Sequence, residues 1–373
     1  MDIKTWDGIT TLLGAVMGAG VLGIPFVVAK AGIIPGIVTI LVLGIAVLIL
    51  NLMVGEIALR TPGNHQLAGY MDLYLGKTGK FLMMLSLVIG IYGALIAYII
   101  GLGETLPALL PGSPALWMFL AFVVLSALLS RRLKVIELAE RFLSSGKIVA
   151  IAIVIVVAFV LGKFSTANLT PTTSWTLPFG VILFSLLGTA VIPDVREELK
   201  GSLTKLKPVL VWSSIIAIVI YMLFAISVVG VTGAGTTEIA TLALGEHLGM
   251  AGLLLLNIFA ILAMASAFLA LGEALKKMFE EDYGWKPWPA LFATVLIPAA
   301  VVLSGARSFI GVIGLTGAIA GGIDGVLIVL AYRKAVEKGK RRPEYSLHLP
   351  TILHWLVFAV FVFALLWAIG ELR

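Results

Sequence analysis

The sequence predicts an all-α membrane protein of eleven transmembrane helices. Ten of them form two five-helix halves of opposite orientation, and one extra helix follows at the C-terminus. Three observations carry this prediction. Apolar runs near 20 residues or longer recur along the chain, each long enough to cross a bilayer as a helix. Two of these runs are interrupted mid-membrane by glycine with a proline downstream, five spans apart. Lysine and arginine gather in alternate loops.

The composition agrees with that class. Of 373 residues, 60% are hydrophobic and 12% charged, with a mean hydropathy of +1.12, whereas a soluble domain carries roughly 25% charge. The first apolar run continues into a second without a small-residue cleavage site, so no cleavable signal peptide is expected. There is no cysteine, which excludes disulfides and thiolate metal sites. His65, His247, His348 and His354 are scattered without metal-ligand spacing, so no metal or cofactor is expected.

The spans fall at about 6–30, 34–59, 80–108, 114–131, 134–162, 176–200, 206–232, 248–277, 288–305, 308–333 and 350–371. One set of loops holds Arg60, Lys77, Lys80, Arg131, Arg132, Lys134, Lys200, Lys205, Lys207, Lys276, Lys277, Lys286 and the run Arg333 to Arg342. The opposite set holds Lys30, Lys163 and Arg307, with Arg373 at the end. By the positive-inside rule the rich side is cytoplasmic, which puts the N-terminus inside a cell membrane and the C-terminus outside. The net charge of +6 is therefore topology and not a nucleic-acid footprint. A lipid head-group role for Lys338 to Arg342 is the competing reading of that run.

The first span is broken at Gly14-Ala15-Val16-Met17-Gly18-Ala19-Gly20-Val21-Leu22-Gly23-Ile24-Pro25. An unpaired backbone group in hydrocarbon costs several kcal/mol, so irregular backbone survives there only where it is buried or lines a cavity. The sixth span breaks at Phe184-Ser185-Leu186-Leu187-Gly188-Thr189-Ala190-Val191-Ile192-Pro193-Asp194. Because five is odd, the first span enters from the cytoplasm and the sixth from outside. Two halves that each open with a broken helix make an inverted repeat with its site at the midplane. The whole chain, 1–373, reads as one domain: repeat one at about 6–162, repeat two at about 176–333 and the extra helix at 350–371. Re-entrant or amphipathic pieces are expected at 63–77 inside and 236–247 outside.

At this point the chain resembles the amino acid–polyamine–organocation superfamily, and within it the hydroxy and aromatic amino acid permeases and the related amino acid/auxin permease group. Met17-Gly18-Ala19-Gly20-Val21-Leu22-Gly23-Ile24-Pro25-Phe26 matches the opening-helix pattern. Leu177-Pro178-Phe179-Gly180 through Glu197-Glu198-Leu199-Lys200 resembles the sixth helix, and Ala265-Ser266-Ala267-Phe268-Leu269-Ala270-Leu271-Gly272 the eighth. The resemblance implies a fold like that of the bacterial leucine transporter, with substrate between helices one, three, six and eight.

The broken helices suit a zwitterion. If the second half of the first span begins near Val21, the N–H groups of Ala19, Gly20 and Val21 face the gap, and with the half-helix dipole they favour a carboxylate. Open carbonyls near Ala15 and Val16, and near Phe184 and Ser185, favour an ammonium group. Gly18 and Gly188 belong to the same two breaks. A carboxylate and an ammonium a few ångströms apart make an α-amino acid. Close packing is the competing reading, since Gly14-x-x-x-Gly18 and Ala15-x-x-x-Ala19 are small-xxx-small patterns. By depth and family position, Leu22, Tyr92, Ile96, Phe184, Leu187 and Met264 are expected to recognise the side chain. None is charged, which points to a neutral substrate.

For coupling, Lys147 stands out. Fifteen uncharged residues separate it from Lys163, sixteen steps or roughly 24 Å of helix. A charged lysine inside a bilayer costs at least about 2.5–3.5 kcal/mol, so it must face the interior or snorkel. Ser144-Ser145-Gly146-Lys147 resembles the fifth helix of several superfamily members, in which a lysine amine takes the place of sodium. Carried over, Lys147 would meet carbonyls near Ala15 or Gly18 and the hydroxyl of Ser266. A buried lysine can exchange a proton near neutral pH, which implies proton coupling and sodium independence. Sodium coupling would need paired oxygen ligands on the eighth span, and there Ser266 lies between Ala265 and Ala267.

Asp324, nine residues and about 13 Å before Arg333, is a second proton site, a gate partner or half of an ion pair. Glu56 and Arg60 pair at i,i+4. Asp194, Arg196, Glu197 and Glu198 form either a gate with Lys4 or Asp7 or a solvated helix end. No nucleophile–base constellation or phosphate loop is present, so an enzyme is not expected. The expected function is secondary transport of a neutral amino acid. An amino acid sensor is the alternative, although it would call for a long cytoplasmic tail.

Overall fold

The computed structural model describes residues 3–130, 134–163, 165, 176–281 and 283–371. Among these residues every regular element is helical. Helix α1 (Ile3–Val16) ends at a break, a 3-10 turn follows over Ala19–Gly23, and α2 (Ile24–Ala31) completes the first run. Then come α3 (Ile33–Arg60), α4 (Leu67–Thr105), α5 (Pro114–Ser130) and α6 (Lys134–Leu161). The sixth run is α7 (Leu177–Leu186), a 3-10 turn at Thr189–Val191 and α8 (Ile192–Glu198). After it lie α9 (Leu206–Thr232), α10 (Ala240–His247), α11 (Gly249–Glu281), α12 (Pro287–Leu303), α13 (Phe309–Lys338) and α14 (Thr351–Glu371).

Both interruptions lie where glycine and proline predicted them. The expected pieces at 63–77 and 236–247 are the first turns of α4, set off by a kink at Gly76 (φ 77°), and α10. Seven helices, counting Leu177–Glu198 as one, are long and apolar enough to cross a membrane. The pair Lys4–Val16 and Gly20–Ala31, bent by 56°, makes an eighth. Pro114–Ser130, Ile148–Val160 and Pro287–Leu303 are shorter apolar helices. Among the described residues up to eight runs therefore meet the length for a span; α5 and α12, 17 residues and about 26 Å long, fall just short of the hydrocarbon thickness.

Helix α13 is central, packing on α4, α7 and α14, while α9 packs on α1 and α3. The α7–α13 crossing depends on glycine. A Cβ at Gly180 would run into the carbonyl oxygen of Gly314, and one at Gly317 into that of Gly180. Bringing backbones this close is how helices gain contact in lipid, where apolar side chains gain nothing over acyl chains.

One end of the bundle is fastened by polar groups. Arg196 Nη1 donates to Gly63 O at 2.9 Å and to Asn64 Oδ1 at 2.9 Å. Gln66 donates to Asp194 at 2.9 Å, Asn64 to Glu197 at 3.0 Å and Thr11 to Glu198 at 3.1 Å. The acidic end of α8 therefore docks on loop 61–66 and α1, in place of the expected gate with Lys4 or Asp7. Glu56 and Arg60 pair at 2.8 Å as expected, but Glu56 is fully buried and also accepts from Tyr332 (3.0 Å) and the Leu347 N–H (2.8 Å). Loop 339–350 is pinned to α3 again by Tyr345 on Leu52 O (2.7 Å) and by Arg341 on Leu59 O (2.7 Å). The Arg341 guanidinium also bonds Glu344 and holds its carboxyl below the usual range.

Removing one partner of a buried pair costs about 3–5 kcal/mol, because the other charge is left uncompensated. Glu56→Ala is therefore expected to lower the thermal midpoint of the purified protein by several degrees and expose loop 339–350 to protease. An unchanged midpoint would show that Glu56 does not carry this loop.

Candidate functional site

The chain stops being helical at Val16 and at Leu186, and the two stops meet. Met17 N donates to Leu13 O, and Gly18 N turns back to Val16 O at 2.9 Å. Gly18 then takes extended backbone, and Val21 N closes the 3-10 turn on Gly18 O. Val21 thus spends its N–H inside the turn, and α2 starts at Ile24 instead of Val21. The N–H groups of Ala19 and Gly20, in the first turn after the break, are the ones a helix start leaves for other partners.

At the other break, Leu187 takes extended backbone and Gly188 leaves the helical region. Gly20 is packed against this break. A Cβ there would lie 2.7 Å from Ser185 Oγ and 2.9 Å from Phe184, so only glycine lets the first turn come so close.

One side chain joins the two breaks. Tyr221 of α9, fully buried, places its hydroxyl 2.9 Å from Val16 O and 2.9 Å from Ser185 O. Val16 O is thereby satisfied twice, by Gly18 N and by Tyr221. Sequence reading missed Tyr221, although it is a lone hydroxyl-bearing aromatic in the apolar middle of its span.

Beside the breaks lies a cavity of about 200 Å³. Its wall takes Ala15, Val16, Gly18 and Gly20 from the first run and Phe184, Ser185, Leu187, Gly188, Thr189, Ala190 and Val191 from the sixth. Helix α4 adds Ser86, Leu87, Gly90, Ile91, Ala94 and Tyr98; α11 adds Leu271; α13 adds Gly317, Ala320 and Asp324. The wall is mainly apolar. Eight of the fourteen residues expected at a substrate site therefore lie on it.

The others are placed differently. Val21, Leu22, Ile96 and Met264 are buried in packing away from the wall. Tyr92 turns outward and donates to Ala293 O of α12 at 2.9 Å. The side chain of Ala19 lies outside the described residues. Helix α4 is thus rotated relative to expectation, presenting residues 87, 91, 94 and 98 in place of 92 and 96.

Of the coupling residues, Asp324 is on the wall. It is 6% exposed, and its Oδ1 has no hydrogen-bond partner among the described residues. Among the described residues it makes no ion pair, the third of the roles its sequence position allowed. Ser86, also on the wall, donates to Ala320 O at 2.8 Å. Ser266 donates to Ala263 O at 3.0 Å and is not part of the wall. The Lys147 side chain lies outside the described residues; its helix, α6, packs against both α1 and α11. Among the described residues no group of three or more His, Cys, Asp or Glu could hold a metal.

The cavity is sealed at the end opposite loop 61–66. Met264 and Phe309 crowd Gly101, and Ile310, Ile313 and Phe309 crowd Gly23. All four are buried. Nearby, Glu238 accepts from Ser308 (3.0 Å) and the Ile310 N–H (2.9 Å), which caps α13.

A multi-pass bundle with two broken helices around a central cavity defines a membrane permease. The comparisons make this specific. The tryptophan/tyrosine permease family matches residues 1–368, and the chain belongs to that family. It is an amino acid transporter of the membrane. It is 24% identical over 298 residues to the tyrosine-specific transport system 1 of Haemophilus influenzae, covering 74% of this chain and 73% of that protein. It is 33% identical over 100 residues to the vacuolar amino acid transporter 2 of Saccharomyces cerevisiae, covering 26% of this chain and 20% of that one.

Gly20→Val puts branches into Ser185 and Phe184 and should fill the contact between the breaks. Binding of amino acid, read by isothermal titration, is expected to fall at least about tenfold, which is 1.4 kcal/mol or more. Tyr221→Phe removes the one proton that Val16 O and Ser185 O share, at a cost of about 1–3 kcal/mol, read as a lower thermal midpoint with the cavity intact.

Proposed function

We propose that this protein is a secondary active transporter of neutral α-amino acids, aromatic ones foremost, working by alternating access with proton coupling and without sodium. The observation that carries the proposal is the meeting of two helix breaks on one cavity wall. The N–H groups of Ala19 and Gly20 and the dipole of the turn leading into α2 receive the carboxylate. The Tyr98 hydroxyl lies about 3.6 Å from where a Gly18 Cβ would sit and adds a donor at the same point. Val16 O already accepts from Gly18 N and shares the Tyr221 proton with Ser185 O, so the ammonium falls chiefly to Ala15 and to Phe184 and Ser185.

Phe184, Leu187, Leu87, Ile91 and Leu271 then face the side chain. The family, and the tyrosine-specific transport system to which the chain is similar, support an aromatic side chain in that space. Among the described residues, Asp324 is the one charged residue on the wall. We assign it to proton coupling together with Lys147 and Ser266; that α6, the helix of Lys147, packs on both α1 and α11 supports the reading. We further read the three short apolar helices as spans, giving eleven in two inverted five-helix halves, with the N-terminus cytoplasmic and the C-terminus outside. In that orientation the cavity, sealed by Phe309 and Met264, faces the cytoplasm.

Uptake of tyrosine or tryptophan into proteoliposomes is expected to rise when the outside is acidified and to be unchanged when potassium replaces sodium. A sodium requirement sinks the coupling scheme. Lys147→Ala and Asp324→Asn should each reduce the pH dependence while leaving thermal stabilisation by substrate; full pH-driven uptake in both variants would place the proton elsewhere.

A further inference from the structure

A second cavity lies at the fastened end of the bundle, between α3, α13 and the start of α14, and measures about 330 Å³. Its wall carries Arg60, Arg333, His348 and His354, with Glu56 and Glu337 as its acids. Glu56 is already neutralised by Arg60 and two further donors. Arg333 makes no ion pair among the described residues. Its guanidinium lies over the Trp355 ring, 5.2 Å from the centroid, a geometry that leaves the in-plane N–H donors free for an anion.

His354 points Nδ1 at Pro350 O at 3.1 Å, so Nδ1 donates there and Nε2 is left for another partner, to which it donates as the imidazolium. The ring is fixed by stacking on Tyr332, with centroids 5.5 Å apart. His348 holds a left-handed backbone, φ 41°, which a residue with a side chain adopts at a cost. The positive end of α14, a 21-residue helix starting at Thr351, is on the same wall.

We propose that this cavity binds a phosphate group, clamped by Arg333 and His354 at the N-terminus of α14. Two sources carry that chemistry, the headgroup of an acidic phospholipid and free phosphate. The surroundings favour the lipid. Next to Trp355, Ile352 and Leu356 are 71% and 57% exposed on α14, one turn apart, and offer an apolar track for an acyl chain. Sequence alone directed such a role to Lys338–Arg342, but Arg341 in that run is spent on Leu59 O and Glu344. Basic pockets between helices at the cytoplasmic face suit acidic headgroups. The inference does not depend on the substrate or the coupling ion.

The test is thermal unfolding of the full chain in a neutral detergent, with phosphatidylglycerol, phosphatidylcholine or inorganic phosphate added. Phosphatidylglycerol is expected to raise the midpoint by about 3 °C or more, and phosphatidylcholine to leave it unchanged. Arg333→Gln combined with His354→Gln should remove most of the shift, and Arg333→Lys should keep at least half. An equal, Arg333-dependent shift with inorganic phosphate would support the site with a soluble anion as its ligand. No shift with either phosphate source, or a shift that survives the double variant, overturns the proposal. Should the double variant fail to fold, native mass spectrometry of Arg333→Gln counts retained phosphatidylglycerol. Retention equal to the unmodified protein overturns it as well.

Discussion

Hydrocarbon offers the backbone no hydrogen-bonding partner, and a helix broken in mid-membrane leaves polar groups that cost several kcal/mol each if nothing meets them. In this protein the Tyr221 hydroxyl meets two of them at once. It lies 2.9 Å from both Val16 O and Ser185 O, and its single proton is shared between the two carbonyls. The ends of α1 and α7 are thus tied to α9 at one point. Gly20 permits the approach by lacking the carbon that would strike Ser185 and Phe184. The cavity exists because these groups turn toward each other instead of continuing their helices, so its polar lining is mostly backbone.

The breaks were legible in the sequence because their chemistry is local. Glycine and proline act on their own residues and immediate neighbours, so Ala15, Val16, Gly18, Gly20, Phe184, Ser185, Leu187 and Gly188 could be assigned to a gap before any packing was known. Helix α4 was not legible in the same way. It is apolar nearly all round, and a residue error of one turns a helix by about 100°. Tyr92 and Ile96 were therefore expected where Leu87, Ile91, Ala94 and Tyr98 stand. Met264 was placed on the wall and instead helps seal the far end over Gly101. Depth along α11 decides between it and Leu271, and sequence fixes depth only to within a turn or two. Tyr221 acts through a contact 205 residues away in sequence, which no local pattern encodes.

Counting basic residues gave an orientation but treated every charge alike, whereas the structure divides them by task. Arg196, only 8% exposed, fastens α8 to the carbonyl of Gly63 and to Asn64. Lys276, 3% exposed, reaches back to Leu129 O at 3.0 Å. Arg60 neutralises a fully buried Glu56 that in turn holds loop 339–350. These charges act as loop fasteners at the ends of spans, where snorkelling makes a cation inexpensive. Among the described residues Arg333 keeps its guanidinium free of any carboxylate, and that difference marks the second cavity.

The two ends of the central cavity differ in what opening and closing would cost. At one end Phe309, Ile310, Ile313 and Met264 close over glycines, so separating them exposes apolar area and breaks no ion pair among those residues. At the other end the wall holds Asp324 with one oxygen unpartnered. On the proposed scheme that end closes over Asp324, already only 6% exposed, and an ionised carboxylate held in the membrane interior without a counter-charge carries a penalty of several kcal/mol. A proton on Asp324, or a cation beside it, removes the penalty and lets the inner end close. On the proposed scheme this is the physical reason for a proton to travel with the substrate. On that scheme the carboxylate sets the condition for closing, and the backbone at the two breaks determines what is held when it does.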